Sequence, residues 1–210
     1  MIEEYDFTGI YHKWAYIKRK KDVKKICRKY KIKREDGLFF VYFYVDSDRN
    51  LTIKLAGFIE KNKDKLSFDI DMLKHNKSIK VEDIPKCEFV ILDYDLNNFV
   101  NYASNISSDI NEEIKEVSDE RLKFYETRSF SNLDEFRDYY KPDLLYVRVK
   151  EDSDDCVLVR IIGIKSDKIM GVIEDADNFS KELSEGDIVE ITNKTKYLLI
   201  TKVLKMKKTE

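Results

Sequence analysis

The feature that most narrows the folds open to this chain is its last third. Five apolar runs, Leu144 to Val149, Cys156 to Ile164, Ile169 to Ile173, Ile188 to Thr192 and Tyr197 to Leu204, follow one another there across short polar segments. Runs this short, rich in Val, Ile and Leu and bounded by Lys165-Ser166-Asp167 and Ser184-Glu185-Gly186-Asp187, read as strands. Strands at this spacing predict a small antiparallel barrel or strongly bent sheet. Gly186-Asp187 supplies a tight turn into a strand. Phe179 and Leu183, four positions apart, suit one helical turn packed into the barrel bottom.

The pattern is different upstream. From Tyr16 to Tyr30 the apolar residues Val23, Ile26, Cys27 and Tyr30 recur at helical spacing while Lys and Arg fill the other faces, which predicts a basic amphipathic helix. Three strand-like runs follow, Leu38 to Val45, Leu51 to Ile59 and Leu66 to Leu73, and predict an antiparallel meander. The first is apolar on both faces and is expected at the centre. Phe68, Ile70 and Met72 alternate with Asp69 and Asp71, the mark of one buried and one wet face. A further strand is expected from Cys87 to Leu92. Leu96, Phe99, Val100, Ala103, Ile106 and Ile110 then keep helical spacing as one helix or two. A short helix fits Leu133 to Tyr140 with Ser131 or Asn132 as N-cap, and Pro142 stops it. The expected architecture is α+β: residues 1–141 an antiparallel sheet covered by helices, residues 142–210 a small, mostly β, barrel-like domain.

Charge bounds the function classes. Lys+Arg 39 nearly balances Asp+Glu 41, so the net charge of -2 gives no bulk attraction to nucleic acid or membrane. The longest apolar run, Leu38 to Val45, is too short to cross a bilayer as a helix. Met1-Ile2-Glu3-Glu4-Tyr5-Asp6 places acid where a secretory signal carries base. Cys27, Cys87 and Cys156 are odd in number and form no Cys-x-x-Cys pair. Three reduced thiols in a soluble cytoplasmic protein are expected.

Chemistry-bearing patterns are sparse. Neither G-x-G-x-x-G nor G-x-x-x-x-G-K occurs among the six glycines, which excludes nucleotide binding through those loops. His12 and His75 lie far apart, with no nucleophile motif beside either. Asp69-Ile70-Asp71 and Asp93-Tyr94-Asp95 carry the paired carboxylates that Mg2+-dependent phosphoryl chemistry needs, although a wet strand face and a helix cap account for both pairs. Lys18, Arg19, Lys20, Lys21, Lys24, Lys25, Arg28 and Lys29 on the basic helix could track phosphates, with Trp14 or Tyr16 stacking on a base. The commoner role of such a run is a solvated face neutralised by Asp22 and the acidic tract from Asp109. In the barrel, Glu151, Asp152, Asp154 and Asp155 form an acidic loop between two strands, placed to steer a basic protein partner.

Tyr146-Val147-Arg148-Val149, Asp167-Lys168-Ile169-Met170-Gly171-Val172-Ile173 and Glu185-Gly186-Asp187-Ile188-Val189-Glu190 resemble the YegJ-like bacterial domain, a small β-rich module. The resemblance covers about the last third of the chain and carries over no functional residue. Because that family is similar to domains found near toxin-immunity genes, it implies binding rather than catalysis. The sequence thus points to a non-catalytic protein-binding or immunity-type module without cofactor, metal or membrane. A nucleic-acid-associated protein using residues 16–30 is the alternative, and a metal-dependent phosphoesterase on the Asp-x-Asp pairs comes third.

Overall fold

The computed structural model describes residues 6–32, 37–62, 65–69, 77–84, 86–92, 126–165, 168–175 and 183–204. The chain divides into two compact units, Met1–Glu116 and Val117–Glu210.

In the first unit a single helical turn, α1 (Phe7–Ile10), precedes β1 (Trp14–Ile17), and the longer helix α2 (Lys20–Tyr30) follows it. Next come β2 (Leu38–Val45), β3 (Leu51–Asn62), β4 (Lys65–Asp69), β5 (Ser78–Lys80) and β6 (Phe89–Ile91). The strands form one antiparallel sheet in the order β4-β3-β2-β1-β6, with β5 also paired to β3. The run that is apolar on both faces takes the middle, and all eight residues of β2 are buried. A strand flanked on both edges and covered on both faces needs no polar alternation.

Two expectations change here. The basic helix begins at Lys20, because Trp14-Ala15-Tyr16-Ile17 joins the sheet between β2 and β6. Aromatic and β-branched side chains favour that pleated, packed setting, and Arg19, at φ -115° and ψ 124°, is still extended. The strand foreseen from Cys87 to Leu92 is paired only over Phe89–Ile91. The helical pattern from Leu96 onward lies outside the described residues.

The described part of the second unit begins with two 3-10 turns, Glu126–Ser129 and Ser131–Phe136, in place of the helix expected over Leu133 to Tyr140. Phe130 is the residue before the second turn, and Arg137 already pairs as a β-bridge with Leu145. Five strands then close a barrel: β7 (Leu144–Arg148), β8 (Cys156–Lys165), β9 (Lys168–Asp175), β10 (Ile188–Asn193) and β11 (Leu198–Leu204). Successive strands pair antiparallel. An up-and-down path with an odd number of strands returns its last strand in the direction of its first, so the closing pair β11-β7 is parallel, registered at Leu199 and Arg148. Register shifts at Leu158/Val159, Ile161/Gly163 and Glu190/Ile191 add the local bend that closure requires.

Burial alternates along the barrel strands, and Leu145, Val147, Val157, Val159, Ile161, Ile169, Ile173, Val189, Ile191 and Leu198 form the interior. Leu133 and Phe136 from the second 3-10 turn, and Leu183, complete this core. Gly171 sits where a side chain has no room: a Cβ there would lie 2.2 Å from Val159 Cγ1 and 3.1 Å from the Arg160 carbonyl oxygen.

A buried ion pair ties the first 3-10 turn to the start of β7. Arg128 Nε and Nη2 donate to Asp143 Oδ1 and Oδ2 at 2.9 and 2.6 Å, and both side chains are essentially inaccessible. Arg137 adds a second clamp by donating to the carbonyls of Pro142 and Thr127.

Candidate functional site

Helix α2 is built by its spacing. Val23, Ile26 and Cys27 are buried, and the helix packs against β1 and β2. The remaining positions are almost all cationic and turn outward. Asp22 in the first turn and Arg28 and Lys29 in the last suit the helix dipole at both ends. Lys31 ends the helix in the left-handed region (φ 53°, ψ 40°), and the Ile32 N–H returns to the Cys27 carbonyl at 2.9 Å.

The cations separate into two flanks. Arg19 Nε donates to Asp22 Oδ2 at 2.8 Å, and Lys25 Nζ lies 3.7 Å from Asp22 Oδ1. Lys29 donates to the Asp83 carbonyl, with Nζ 3.8 Å from Asp83 Oδ1. Lys18, just before the helix, bonds Glu88; this contact raises the lysine pKa and lowers the glutamate's. On the other flank Lys20, Lys21, Lys24 and Arg28 are exposed, and no carboxylate among the described residues pairs with them. Lys20, Lys24 and Arg28 succeed one another at i, i+4, which stacks them in a row about 12 Å long.

A shallow pocket of about 250 Å³ opens on this free flank, lined by Lys24, Cys27, Arg28 and Ile32. Ile32 and the buried Cys27 complete its lining beside the two cations, so the recess is mixed polar and apolar. Trp14 and Tyr16, considered as base-stacking partners of this helix, are instead part of the sheet. Trp14 stacks on Phe40 at 4.6 Å and packs against Tyr42, and Tyr16 is buried.

The acidic loop between β7 and β8 is half engaged with its own surroundings. Asp154 Oδ1 accepts from Arg148 Nη2 at 2.6 Å, and Glu151 Oε1 accepts from the Tyr197 hydroxyl at 3.0 Å. Arg148 also lies over the Tyr197 ring at 4.6 Å. Glu151, Asp152, Asp154 and Asp155 are all exposed, yet two of the four already have partners within the barrel. The largest exposed apolar side chains among the described residues, Phe130, Tyr140 and Tyr146, also belong to this unit. Asp138 joins the latter two, accepting from the Tyr146 hydroxyl and the Tyr140 N–H.

Of the two Asp-x-Asp pairs, Asp69 ends β4 opposite Phe58; Asp71, Asp93, Asp95 and His75 lie outside the described residues. Among the described residues no group of three or more His, Cys, Asp or Glu side chains converges on a point. His12 sits at φ 56° between the rings of Tyr11 and Tyr42. Cys27 and Cys87 are buried, Cys156 is exposed, and none of the three is in a disulfide. Burial, reinforced by the negative charge of Asp22, pushes the Cys87 thiol up to about 12. No helix among the described residues is long and apolar enough to cross a membrane.

Sequence reasoning found α2 and its cations but not the division between the flanks. Asp83 reaches Lys29 from 54 positions away and Glu88 reaches Lys18, just before the helix, from 70, and helical spacing carries no signal of such partners. The chain matches no protein-family model, no curated protein and no solved structure.

Proposed function

We propose that the protein is a non-catalytic binding module and that it holds an anionic partner on the free flank of α2. The observation that carries this reading is the sorting of the helix cations, with Arg19, Lys25 and Lys29 beside carboxylates of the fold and Lys20, Lys21, Lys24 and Arg28 left to solvent. Cations held on a rigid helix at fixed spacing attract a multiply charged partner with little further ordering. The acidic loop Glu151 to Asp155 is the weaker binding surface, because Arg148 and Tyr197 already engage two of its carboxylates. A cytoplasmic location belongs to the same reading, motivated by three cysteines that form no disulfide. The YegJ-like resemblance of the last third fits a binding role and assigns no residue to it.

Retention on an immobilised sulfated polyanion tests the proposal. The wild-type chain is expected to bind at about 0.15 M salt. K20Q/K21Q/K24Q/R28Q should elute at distinctly lower salt, and the charge-matched K141Q/K150Q/K194Q/K196Q should elute with wild type. Equal loss in both variants, or no retention of the wild type, overturns it.

A further inference from the structure

We infer that the partner on the free flank of α2 is a single-stranded nucleic acid, with its phosphates along Lys20, Lys21, Lys24 and Arg28 and one base seated in the Cys27–Ile32 recess. This rests on the proposed binding role of that flank and names its ligand. A plain anion would need only the cations. The structure adds a shallow recess beside two of them, Lys24 and Arg28, whose lining, completed by Cys27 and Ile32, is mixed polar and apolar. Its volume of about 250 Å³ is below the roughly 300–1,000 Å³ of sites that enclose a whole small molecule, so it suits one flat ring system whose charged remainder lies outside.

A nucleotide strand has that form, since each apolar ring is followed at short intervals by a phosphate. An acidic peptide offers the charges without the ring, and an intact duplex keeps its bases stacked inside. The row of cations at i, i+4 meets the repeating charge, and the guanidinium of Arg28 at the rim can also stack on the face of a seated base. Trp14 and Tyr16 are occupied within the sheet and leave no stacking platform of their own.

Charge arithmetic makes the inference quantitative. With four phosphate contacts on a single strand, affinity should fall about 50-fold between 0.05 and 0.2 M salt, and K20Q/K24Q/R28Q, which keeps only Lys21, should show a fall of about threefold.

Fluorescence anisotropy on the full chain distinguishes the possibilities, using a labelled single strand of about 12 nucleotides, within the usual site sizes of single-strand binders. The same strand made abasic, the corresponding duplex and poly-glutamate serve as competitors. The ordinary strand should compete roughly three- to tenfold better than the abasic one, the difference expected from one seated base. I32S should remove that difference, and K194Q, in the second unit, should preserve it. Equal competition by ordinary and abasic strands overturns base seating and leaves the anionic role of α2 standing. Stronger competition by poly-glutamate assigns the flank to an acidic protein and overturns the nucleic-acid ligand. If no polyanion binds, both this inference and the reading beneath it fall.

Discussion

The central strand of the sheet and the second strand of the barrel are both rich in apolar residues, yet they are buried in different ways. Every residue of β2 is buried, whereas in β8 the inward residues Val157, Val159, Ile161 and Gly163 alternate with partly exposed Leu158, Arg160, Ile162 and Ile164. The sheet unit covers both faces of its middle strand, so each substitution there meets packed neighbours. The barrel has one interior, and its outer positions can change in character while the inner ones hold the fold. Identical substitutions should therefore have uniform effects in one unit and alternating effects in the other.

Buried charge gives the largest expected effect. Arg128→Met strands Asp143 in the barrel unit without its bidentate partner and should cost about 3–5 kcal/mol in denaturant unfolding. R128M/D143L should recover most of the loss, since neither charge remains; no recovery would show that geometry, not charge, is at stake.

Next comes a scan of consecutive residues. Phe39→Ala and Phe40→Ala should each cost about 3–5 kcal/mol, because both rings of β2 are buried. In β8, Val159→Ala should cost about 2 kcal/mol and the half-exposed Leu158→Ala distinctly less, about 1 kcal/mol. Equal costs at Val159 and Leu158 would erase the contrast between the two units.

Gly171→Ala tests how tightly the barrel interior is filled. The added methyl meets Val159 Cγ1 at 2.2 Å, so a loss of about 1–3 kcal/mol is expected. V159A should relieve part of it in the double variant. At Gly9 nothing lies within 4 Å, and the same change should leave the melting temperature unchanged or slightly raised.

One further effect appears only in alkali. The folded Cys87 thiol titrates at about 12 against 9.0 for an ordinary thiol. Its contribution is therefore complete below pH 9 and is lost as pH rises from about 9 to 12, because the unfolded chain releases the proton first. The slope should not exceed about 1.4 kcal/mol per pH unit, and Cys87→Ala should abolish it. An unchanged alkaline slope in that variant would assign the loss to other groups.

Much of this architecture was legible in the sequence because it is written in local periods. The five barrel runs, the polar turns between them and the central position of Leu38 to Val45 all follow from apolar spacing and turn residues. What was not legible depends on contacts distant in sequence. Tyr16 and Ile17 read as the start of a helix because the basic run follows at once, and only pairing with β2 and β6 places them in a strand. Leu133 and Phe136 show no strand period, yet they fill the barrel interior. Arg128 and Asp143, 15 positions apart, gave no sign of being paired. The candidate site divides in the same way: the cations of α2 were evident, while Asp83 and Glu88, which engage cations outside the free flank, and the Ile32 return were not.

The parallel seam of the barrel also governs how the second unit gains and loses its structure in time. Arg148 and Leu199 are 51 positions apart (199 minus 148), whereas the other strand pairs join neighbours along the chain. Closing so long a loop restricts the chain before any pairing rewards it, so β7 and β11 should meet late in folding, after the successive hairpins have formed. The Arg148–Tyr197 stack and the Tyr197–Glu151 hydrogen bond then act as a latch beside the seam. In native-state hydrogen exchange the amides of β11 should open ahead of those in β8 and β9, and Tyr197→Ala should speed that opening while barely changing the rate at which the hairpins form.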